Sequence, residues 1–370
     1  MKKILFMIHD LSVGGAEKVL VNLVNNLDKN KFDVTVMTLF DVGINRQFLK
    51  PEVRYLSCFK HMYRGNSHVM KLFSPEILHR LFIKEHYDIE VAYLEGPCAR
   101  IISGCSNPTT KLVSWIHIEQ HGARVAAASF RSVREAKLCY SRFDRIVSVS
   151  QTVRDVFKDA LDIPVVHEVL YNTNETEQIR SQSLEGIENN LYFTDELKLV
   201  GVGKLLHKKG FDRLLRIANR LRKKGYPVHI YLLGVGPEKE KLEAYAKEHD
   251  MESAVTFLGY QTNPYRYVAK CDLFVCSSYS EGFSTAATEA LIVGTPVCTV
   301  EVAGMKEMLG ENNEYGVVVP NDEEALYQGI KGLLDDPELL AHYKQRAKER
   351  GDMFSTENTV RAVENMLLAL

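Results

Sequence analysis

The feature that most constrains the fold of this chain is a regular alternation of short, mostly apolar runs with longer segments of helical periodicity. Runs of this length and composition predict parallel strands that are buried on both faces. In the first half we expect strands at 4–8, 33–39, 53–58, 88–94, 111–117, 145–149 and 166–171. Helices are expected at 16–27, 76–87 and 126–142. Strands that alternate with helices in this way form a doubly wound α/β domain.

The same alternation restarts in the second half of the chain. It predicts strands at 197–202, 228–233, 255–258, 273–276, 296–300 and 315–319, and a helical tail from 323 to 370. Between the two series, residues 172–190 are polar and acidic without a hydrophobic period, which is typical of a linker. A chain of 370 residues has the length of two ordinary domains. We therefore expect two Rossmann-like doubly wound domains, residues 1–175 and 176–354, facing a central cleft.

Composition excludes several classes of protein. The formal net charge is −2, so no overall basic excess favours binding to nucleic acid. The seven cysteines are scattered and contain no C-x-x-C pair, which indicates free thiols in a reducing compartment rather than a disulfide or zinc framework. His9-Asp10 interrupts the first apolar run too early for a signal peptide, and no run is long enough to span a membrane. We expect a cytoplasmic protein.

The most specific pattern is Ser278–Val297, which reads S-Y-S-E-G-F-S-T-A-A-T-E-A-L-I-V-G-T-P-V after a predicted buried strand. Ser284 and Thr285 are residue types that cap helix N-termini, so a helix is expected to begin there. Such a strand-loop-helix corner directs backbone N–H groups and the positive end of the helix dipole to one point, which suits a phosphate. Glu281 and Glu289 lie on either side of that point and suit the hydroxyls of a sugar and a ribose.

Other predicted strands also end in loops that contain glycine, where the backbone can approach a ligand closely. In the second half these loops are Gly201–Lys204 with Lys209-Gly210, Gly234–Gly236 and Gly259-Tyr260, and in the first half Gly14-Gly15. Lysines on either side of the first of these loops can hold a diphosphate, while the turns at Gly203, Gly234 and Tyr260 let the backbone approach a flat ligand such as a nucleobase. Neither a nicotinamide fingerprint nor a Walker A ending is present.

One histidine, His117, closes the predicted strand 111–117. Ligands of open α/β sheets bind beyond the carboxyl ends of the strands, where an imidazole can donate to a sugar hydroxyl or hold an acceptor. Glu119 and His121 follow closely, but no third metal ligand has a suitable spacing, so no metal site is predicted.

The first half also carries a concentration of positive charge. Six Lys or Arg residues lie between Arg54 and Lys84, against Glu76 as the one acidic residue. A further seven lie between Arg124 and Arg154, against two acidic residues. Apolar side chains occur nearby, namely Phe73, Ile77, Leu81, Phe82 and Phe130. An anionic membrane surface would suit such a face, and an ordinary solvated surface accounts for it equally well.

Together, these motifs resemble retaining glycosyltransferases of family four, of the type that builds bacterial surface polysaccharides. The residues that carry the resemblance are Gly203-Lys204, Lys209-Gly210, Gly234-x-Gly236, Phe257-x-Gly259, the S-E-G-F-S-T-A-A-T-E-A run, Gly294-x-Pro296-Val297, Gly304 with Glu307, Gly14–Glu17 and Trp115-x-His117. The resemblance covers essentially the whole chain. It implies the two-Rossmann architecture called GT-B, with a last helix in residues 355–370 that packs back onto the first domain.

The resemblance also implies roles for the candidate residues. Glu281 would face the hydroxyls of the donor sugar and Glu289 the ribose. Backbone amides around Gly282, Phe283, Ser284 and Thr285 would hold the diphosphate, Lys209 matches the family's phosphate lysine, and Lys204 stands where many members carry arginine. Gly15 would approach the donor phosphate or the acceptor, and His117 would line the sugar subsite.

The implied reaction is transfer of a sugar from a nucleotide diphosphate, with uridine as the favoured base, and with retention of the anomeric configuration. The acceptor would be a glycan or a polyprenyl-diphosphate-linked saccharide at the inner face of the cell membrane. Lys204, Lys209 and the helix dipole would stabilise the leaving diphosphate without a metal cofactor, and the chain has no D-x-D motif. A sugar-nucleotide epimerase of the same fold and a non-catalytic nucleotide-sugar-binding subunit are the alternatives.

Overall fold

The computed structural model of the chain describes residues 1–62, 69–187 and 196–370. These residues divide into two compact units. Unit 1 comprises Met1–Asn174 and Thr356–Leu370, and unit 2 comprises Glu175–Ser355. The sequence pattern and the family resemblance predict 1–175 with 355–370 for the first domain and 176–354 for the second.

Unit 1 contains a seven-stranded sheet in which every pair of neighbouring strands is parallel. Its strands are β1 (Lys2–Ile8), β2 (Phe32–Phe40), β3 (Arg54–Phe59), β4 (Ile89–Ala92), β5 (Lys111–Ile116), β6 (Arg145–Ser148) and β7 (His167–Val169). The order across the sheet is β3-β2-β1-β4-β5-β6-β7. The strand order therefore reverses between β1 and β4, which is the topological switch point where doubly wound sheets bind ligands.

The helices of unit 1 before the second unit are α1 (Gly15–Asn26), α2 (Pro75–Phe82), α3 (Pro97–Ile102), α4 (Ala123–Ala126), α5 (Val133–Tyr140) and α6 (Gln151–Leu161). Two predicted helices differ from these. The helix expected over 76–87 ends at Phe82, and Ile83 turns away in extended backbone. The helix expected over 126–142 is confirmed only for Val133–Tyr140: α4 ends at Ala126, residues 127–132 are not helical, and the Ser132 hydroxyl accepts from the Glu135 N–H and caps the start of α5.

Unit 2 contains a six-stranded sheet that is also parallel throughout. Its strands are β8 (Leu197–Val202), β9 (Val228–Leu233), β10 (Val255–Gly259), β11 (Leu273–Cys276), β12 (Val297–Val300) and β13 (Val317–Val319), in the order β10-β9-β8-β11-β12-β13. The switch point here lies between β8 and β11. Two parallel sheets with alternating helices confirm the predicted α/β class of two Rossmann-like domains.

The helices of unit 2 are α7 (Thr176–Ser183), α8 (Phe211–Lys223), α9 (Lys239–Glu248), α10 (Tyr265–Val268), α11 (Thr285–Ile292), α12 (Met305–Leu309), α13 (Glu323–Asp335) and α14 (Pro337–Met353). The prediction of a linker at 172–190 is wrong where α7 forms. Ile179 of that helix is buried against Tyr265 and Ile292, which gives the polar segment one apolar anchor. Residues 188–190 of the predicted linker lie outside the described residues.

The last helix, α15 (Thr356–Leu368), belongs to unit 1. Its Val363 and Leu367 are buried, and its Glu364 carboxylate accepts from the backbone N–H of Asp28 at 2.7 Å. The Lys31 ammonium lies 2.9 Å from the same carboxylate, and Lys2 donates to the Leu367 carbonyl at 3.0 Å. These contacts tie the chain's last helix to the β1–α1–β2 segment at its beginning.

Candidate active site

The switch point of the second sheet brings together two segments that are far apart in sequence. β8 and β11 are neighbouring parallel strands, with Leu273 paired to Leu199 and Phe274 to Val200. The loop after β8 leads to Lys209, and the loop after β11 leads to Glu281. Because both loops leave the same edge of adjacent strands, their side chains meet there.

Lys209 and Glu281 form a close ion pair at this edge. The Nζ of Lys209 lies 2.5 Å from Oε1 of Glu281, and the Ser278 hydroxyl donates to the same oxygen at 2.6 Å. Burial disfavours the charged ammonium, but the adjacent Glu281 carboxylate more than offsets this effect and raises the pKa of Lys209 above its ordinary value. The ammonium of Lys209 therefore remains charged at neutral pH, paired with the Glu281 carboxylate.

Arg213, in the first turn of α8, holds the loop that carries Ser278. Its Nε donates to the Ser277 carbonyl at 2.6 Å, and its Nη2 to the Ser278 carbonyl at 2.7 Å. The third contact is from Nη1 to Oδ1 of Asn321 at 2.9 Å, and the guanidinium lies 4.4 Å from the ring centroid of Tyr279. With 2 % of its surface exposed, Arg213 is a structural clamp on the loop after β11.

Glycines let the loops of this edge pack backbone to backbone. A Cβ on Gly234, whose φ is +142°, would lie 1.9 Å from the carbonyl oxygen of Gly203. A Cβ on Gly203 would in turn meet the aliphatic part of Lys209 at 3.4 Å. The backbone at Gly203 is thus held between Gly234 and Lys209, and glycine at positions 203 and 234 makes this close approach possible.

The corner after β11 has the predicted form. Ser284 is the N-cap of α11, and its hydroxyl accepts from the N–H of Ala287 at 3.3 Å. Gly282, Phe283 and Ser284 are buried immediately before the helix, which begins at Thr285. The positive end of the α11 dipole therefore lies just beyond the loop that carries Glu281.

The remaining candidates of unit 2 differ in exposure. Glu289 is buried in α11, and the Tyr265 hydroxyl donates to its Oε1 at 3.4 Å. Tyr260 is 41 % exposed beyond β10, and Lys204 is exposed beyond β8. Tyr260 and Lys204 are therefore open to solvent, whereas Glu289 is held within the protein.

His117 lies directly beyond β5 in unit 1 and is buried. Burial lowers its pKa to about 3, so the imidazole is neutral at physiological pH. Its Nε2 has no hydrogen-bond partner among the residues that the structure describes. A buried polar atom without a partner is rare in native proteins, and a hydroxyl of a bound ligand would satisfy it.

Two acidic residues that we did not predict lie at the same edge of the first sheet. Glu95 follows β4 and accepts from the His117 N–H at 3.0 Å, and burial raises its pKa to about 6. Asp10 follows β1, where the Ser12 N–H and His9 Nδ1 lie 2.8 and 2.7 Å from its carboxylate oxygens. Burial alone would raise the pKa of Asp10, but these hydrogen bonds lower it to about 2. Both residues lie beyond the carboxyl ends of their strands, the kind of position that singled out His117 and could have singled them out as well.

Gly15 is the first residue of α1 and is exposed, with Gly14 as the N-cap. It lies in unit 1 with His117, whereas the other candidates lie in unit 2. Within unit 2 the structure brings Gly203, Gly234, Lys209 and Glu281 together. Arg213 and Ser278 complete that group and were not predicted, because only the packing of α8 against the loop after β11 reveals them.

The predicted basic and apolar face of unit 1 is exposed only in part. Leu72, Phe73, Ile77 and Leu81 have 76, 42, 43 and 52 % of their surface exposed. Phe130 is buried, so its assignment to this face is wrong; its ring packs against Tyr140 in the interior. Arg64 lies outside the described residues.

The chain folds into two doubly wound units, and at the switch point of the second a loop leads into the N-terminus of α11, which suits an anion. These features define a protein of the two-Rossmann GT-B class. Residues 13–178 match the family described as Glycosyltransferase Family 4, and residues 185–350 match that described as Glycosyl transferases group 1. The chain belongs to the GT-B glycosyltransferases of the family 4 type and is an enzyme of the transferase class.

Two glycosyltransferases and one solved structure are similar to this chain over nearly its whole length. A glycosyltransferase of Campylobacter jejuni is 28 % identical, with 100 % of both chains aligned, and is named N-acetylgalactosamine-N,N'-diacetylbacillosaminyl-diphospho-undecaprenol 4-alpha-N-acetylgalactosaminyltransferase. An uncharacterized glycosyltransferase of Haemophilus influenzae is 23 % identical over 99 % of this chain and 100 % of its own. The crystal structure of Anabaena HepE with UDP-glucose superposes with a TM-score of 0.79 at 19 % identity, covering 100 % of both chains.

Among the described residues, no helix combines the length and apolar character needed to cross a membrane.

Proposed function

We propose that this protein transfers a sugar from a uridine diphosphate sugar to a polyprenyl-diphosphate-linked glycan, with retention of the anomeric configuration, in the synthesis of a bacterial surface glycan. The observation that carries the proposal is the Lys209–Glu281 pair at the switch point of the second sheet. It places a partly buried ammonium and a carboxylate beside the N-terminus of α11, where a diphosphate and the hydroxyls of its sugar would bind together.

Charge at this corner matches the needs of the reaction. As the bond to the sugar breaks, negative charge builds on the departing diphosphate, and preorganised positive groups stabilise it. Lys209, the exposed Lys204 and the α11 dipole supply those groups in this chain. We propose that they replace a catalytic divalent cation, so that adding magnesium or manganese leaves the rate unchanged.

His117 supports a sugar-binding role for the first sheet. Its neutral imidazole has an unpaired Nε2 among the described residues, and the ring is oriented by its packing on Tyr93, with centroids 4.9 Å apart. A neutral imidazole can donate to or accept from a hydroxyl, but it does not supply a positive charge. We therefore assign it to positioning of a sugar hydroxyl rather than to stabilisation of the diphosphate.

Donor and acceptor chemistry are supported by the relatives. The Campylobacter enzyme is named for transfer to a diphospho-undecaprenol-linked saccharide, and Anabaena HepE was solved with UDP and with UDP-glucose. A polyprenyl acceptor lies in a membrane, so we also propose that unit 1 touches an anionic membrane through Leu72, Phe73, Ile77 and Leu81. Lys71, Arg80 and Lys84 lie in the same stretch of sequence and would meet anionic headgroups.

A donor screen followed by a transfer assay tests the reaction. Thermal shifts with the diphosphates of uridine, guanosine and adenosine identify the base, because a ligand that binds only the folded state raises the melting temperature. Purified protein is then incubated with radiolabelled sugar nucleotide, with and without a short polyprenyl-diphosphate saccharide. The proposal predicts label in the lipid product with the α-linkage of the donor.

The other outcomes separate the alternatives. Conversion of the sugar nucleotide in the absence of acceptor would establish an epimerase. Nucleotide binding without turnover of any acceptor would establish a binding subunit. Inverted linkage would refute retention but keep the transferase class.

Co-sedimentation with vesicles tests the membrane contact. Ile77→Glu combined with Leu81→Glu should abolish binding to vesicles rich in phosphatidylglycerol. Leu184→Glu is the matched control, since Leu184 is 86 % exposed but lies in unit 2. Equal binding of both variants would refute this surface as the site of contact.

A further inference from the structure

Three residues with metal-binding side chains converge inside unit 1, away from the candidate active site. They are His79 on α2, Glu90 on β4 and Cys105 after α3, and their ligand atoms all lie within 4.8 Å of one another. His79 Nε2 lies 2.7 Å from one oxygen of Glu90, and the Cys105 thiol lies 3.9 Å from the other. Three separate elements thus meet at one polar point within the fold.

The burial of this point needs a physical explanation. The side chains of Glu90 and His79 are 2 and 13 % exposed, and Cys105 is 3 % exposed. Glu90 stands on a strand whose other residues are Ile89, Val91 and Ala92. A carboxylate in such surroundings is tolerated only if it is paired or coordinates a metal.

We propose that His79, Glu90 and Cys105 form a binding site for Zn²⁺. Imidazole nitrogen, thiolate sulfur and carboxylate oxygen are the ligands that zinc takes, whereas calcium and magnesium take oxygen alone. Tetrahedral zinc with bonds of about 2.0–2.3 Å separates its ligand atoms by roughly 3.3–3.6 Å. The contacts of 2.7 and 3.9 Å reach different oxygens of Glu90, but one oxygen of Glu90, the imidazole nitrogen and the thiol sulfur all lie within 4.8 Å of one another. Small side-chain shifts would therefore bring the three ligand atoms to coordination distance.

The exchange of protons for metal balances at this site. Zinc binds imidazole as the neutral base and cysteine as the thiolate, so binding displaces the protons that these ligands otherwise hold. One thiolate and one carboxylate together supply two negative charges that balance Zn²⁺, so the metal would bring no uncompensated charge into the interior.

A cavity adjoins Cys105, one of the three proposed ligands. It has a volume of about 190 Å³ and is lined by Cys105, Asn107, Lys111, Arg142 and Asp144, among others. Lys111 is the first residue of β5, so the cavity opens at the amino end of that strand, whereas His117 follows its carboxyl end. A metal here would therefore be structural, and separate from the sugar transfer proposed above.

Such a metal would fix α2, since it joins that helix to β4 and to the segment after α3. The helix carries Ile77 and Leu81, two of the exposed apolar side chains of unit 1. Loss of zinc is expected to loosen residues 75–82 in particular, and hydrogen exchange of their amides reports that loosening directly.

Metal analysis of the purified full-length chain tests the site. We expect one zinc per chain by mass spectrometry after gel filtration without chelator, and about 0.1 or less in Cys105→Ser and His79→Asn. Cys271→Ser is the matched control, because Cys271 is also buried but lies in unit 2. Cobalt exchanged into the wild type should show thiolate-to-metal charge-transfer absorption, which requires no variant to fold.

The results that overturn the proposal are equally definite. Wild-type protein that holds no zinc when zinc is supplied during expression, or after titration of the metal-free chain, would show that the cluster is a buried ion pair alone. Zinc retained in Cys105→Ser with unchanged cobalt absorption would place the metal elsewhere.

Discussion

Nζ of Lys209 lies 2.5 Å from Oε1 of Glu281, although 72 positions separate the two residues in the chain. The pair forms because β8 and β11 are neighbours in the sheet, so the loops that follow them meet at one edge. The Ser278 hydroxyl also donates to this carboxylate oxygen, so that oxygen accepts from both a hydroxyl and an ammonium. Each partner therefore fixes the position of the other before a ligand binds.

Lys209→Met should lower kcat by about 10²–10³-fold, because a preorganised charge that stabilises the leaving diphosphate is lost. The effect on KM should be smaller, since that charge matters most in the transition state. Steady-state kinetics with the identified donor measure the split. Lys208→Met is the control, since Lys208 is exposed and adjacent in sequence.

Glu281→Gln is the companion variant, since the amide oxygen can still accept from Ser278. If it lowered kcat as much as Lys209→Met while the double variant lost no more, the two residues would act as one unit. Unchanged kcat in Lys209→Met would contradict the role proposed for the lysine.

Arg213→Met should weaken UDP binding by about tenfold, equivalent to 1.4 kcal/mol, although Arg213 is not expected to touch the ligand. The reason is loss of the two bonds to the Ser277 and Ser278 carbonyls, which position the loop that carries Glu281. Isothermal calorimetry with UDP measures the change.

Arg216→Met on the same helix is the matched control. Its guanidinium pairs with Glu323 and Asp212 but is 39 % exposed, so its removal should change stability by less than about 1 kcal/mol. If both variants bound UDP equally well, Arg213 would have no special positioning role.

Much of the fold follows from local sequence. The apolar runs predicted the strands because both faces of a parallel sheet are buried, and Ser284 predicted the start of α11 because its hydroxyl caps the helix. The break before α5 could also have been predicted. Ser132 and Glu135 have the spacing of a capping box, and the longer helical period concealed it.

The candidate site was predictable only in part, because its contacts depend on strand order. Motif spacing singled out Lys209 and Glu281 separately, but nothing local to either residue predicts their pairing. Arg213 gave no signal at all, since an arginine on an amphipathic helix ordinarily faces solvent. The sequence also did not predict the cluster of His79, Glu90 and Cys105, because its members are separated in sequence and meet only in the folded chain.

Stability should depend on pH through His117. The pKa of this buried histidine is about 3, below its ordinary value of 6.5, so between these values the unfolded state binds a proton that the folded state does not. The contribution of the neutral His117 to the unfolding free energy is complete above pH 6.5 and is lost as the pH falls toward 3. The limiting slope is about 1.4 kcal/mol per pH unit, which gives roughly 1.5 kcal/mol between pH 6.5 and 5.

His117→Gln should remove this component, so its unfolding free energy should fall less steeply with acid than that of the wild type. Glu95 acts in the opposite direction, since its pKa is raised to about 6, but the His117 N–H that it accepts is kept in the variant. Urea unfolding at pH 7, 6 and 5 measures the difference, with the exposed His342→Gln as the control. Parallel curves for wild type and His117→Gln would contradict a buried neutral imidazole.

Gly234→Ala should destabilise unit 2 by about 1–3 kcal/mol and weaken donor binding at the same time. The new Cβ would lie 1.9 Å from the Gly203 carbonyl oxygen, so the backbone beside Lys209 must move.

Gly332→Ala is the control with the opposite expected result, because a Cβ there meets nothing within 4 Å and the residue lies inside α13. It should stabilise the protein by about 0.5–1 kcal/mol through helix propensity, without effect on the donor. Thermal unfolding with and without UDP measures both quantities, and equal behaviour of the two alanines would show that the Gly203–Gly234 approach is not required.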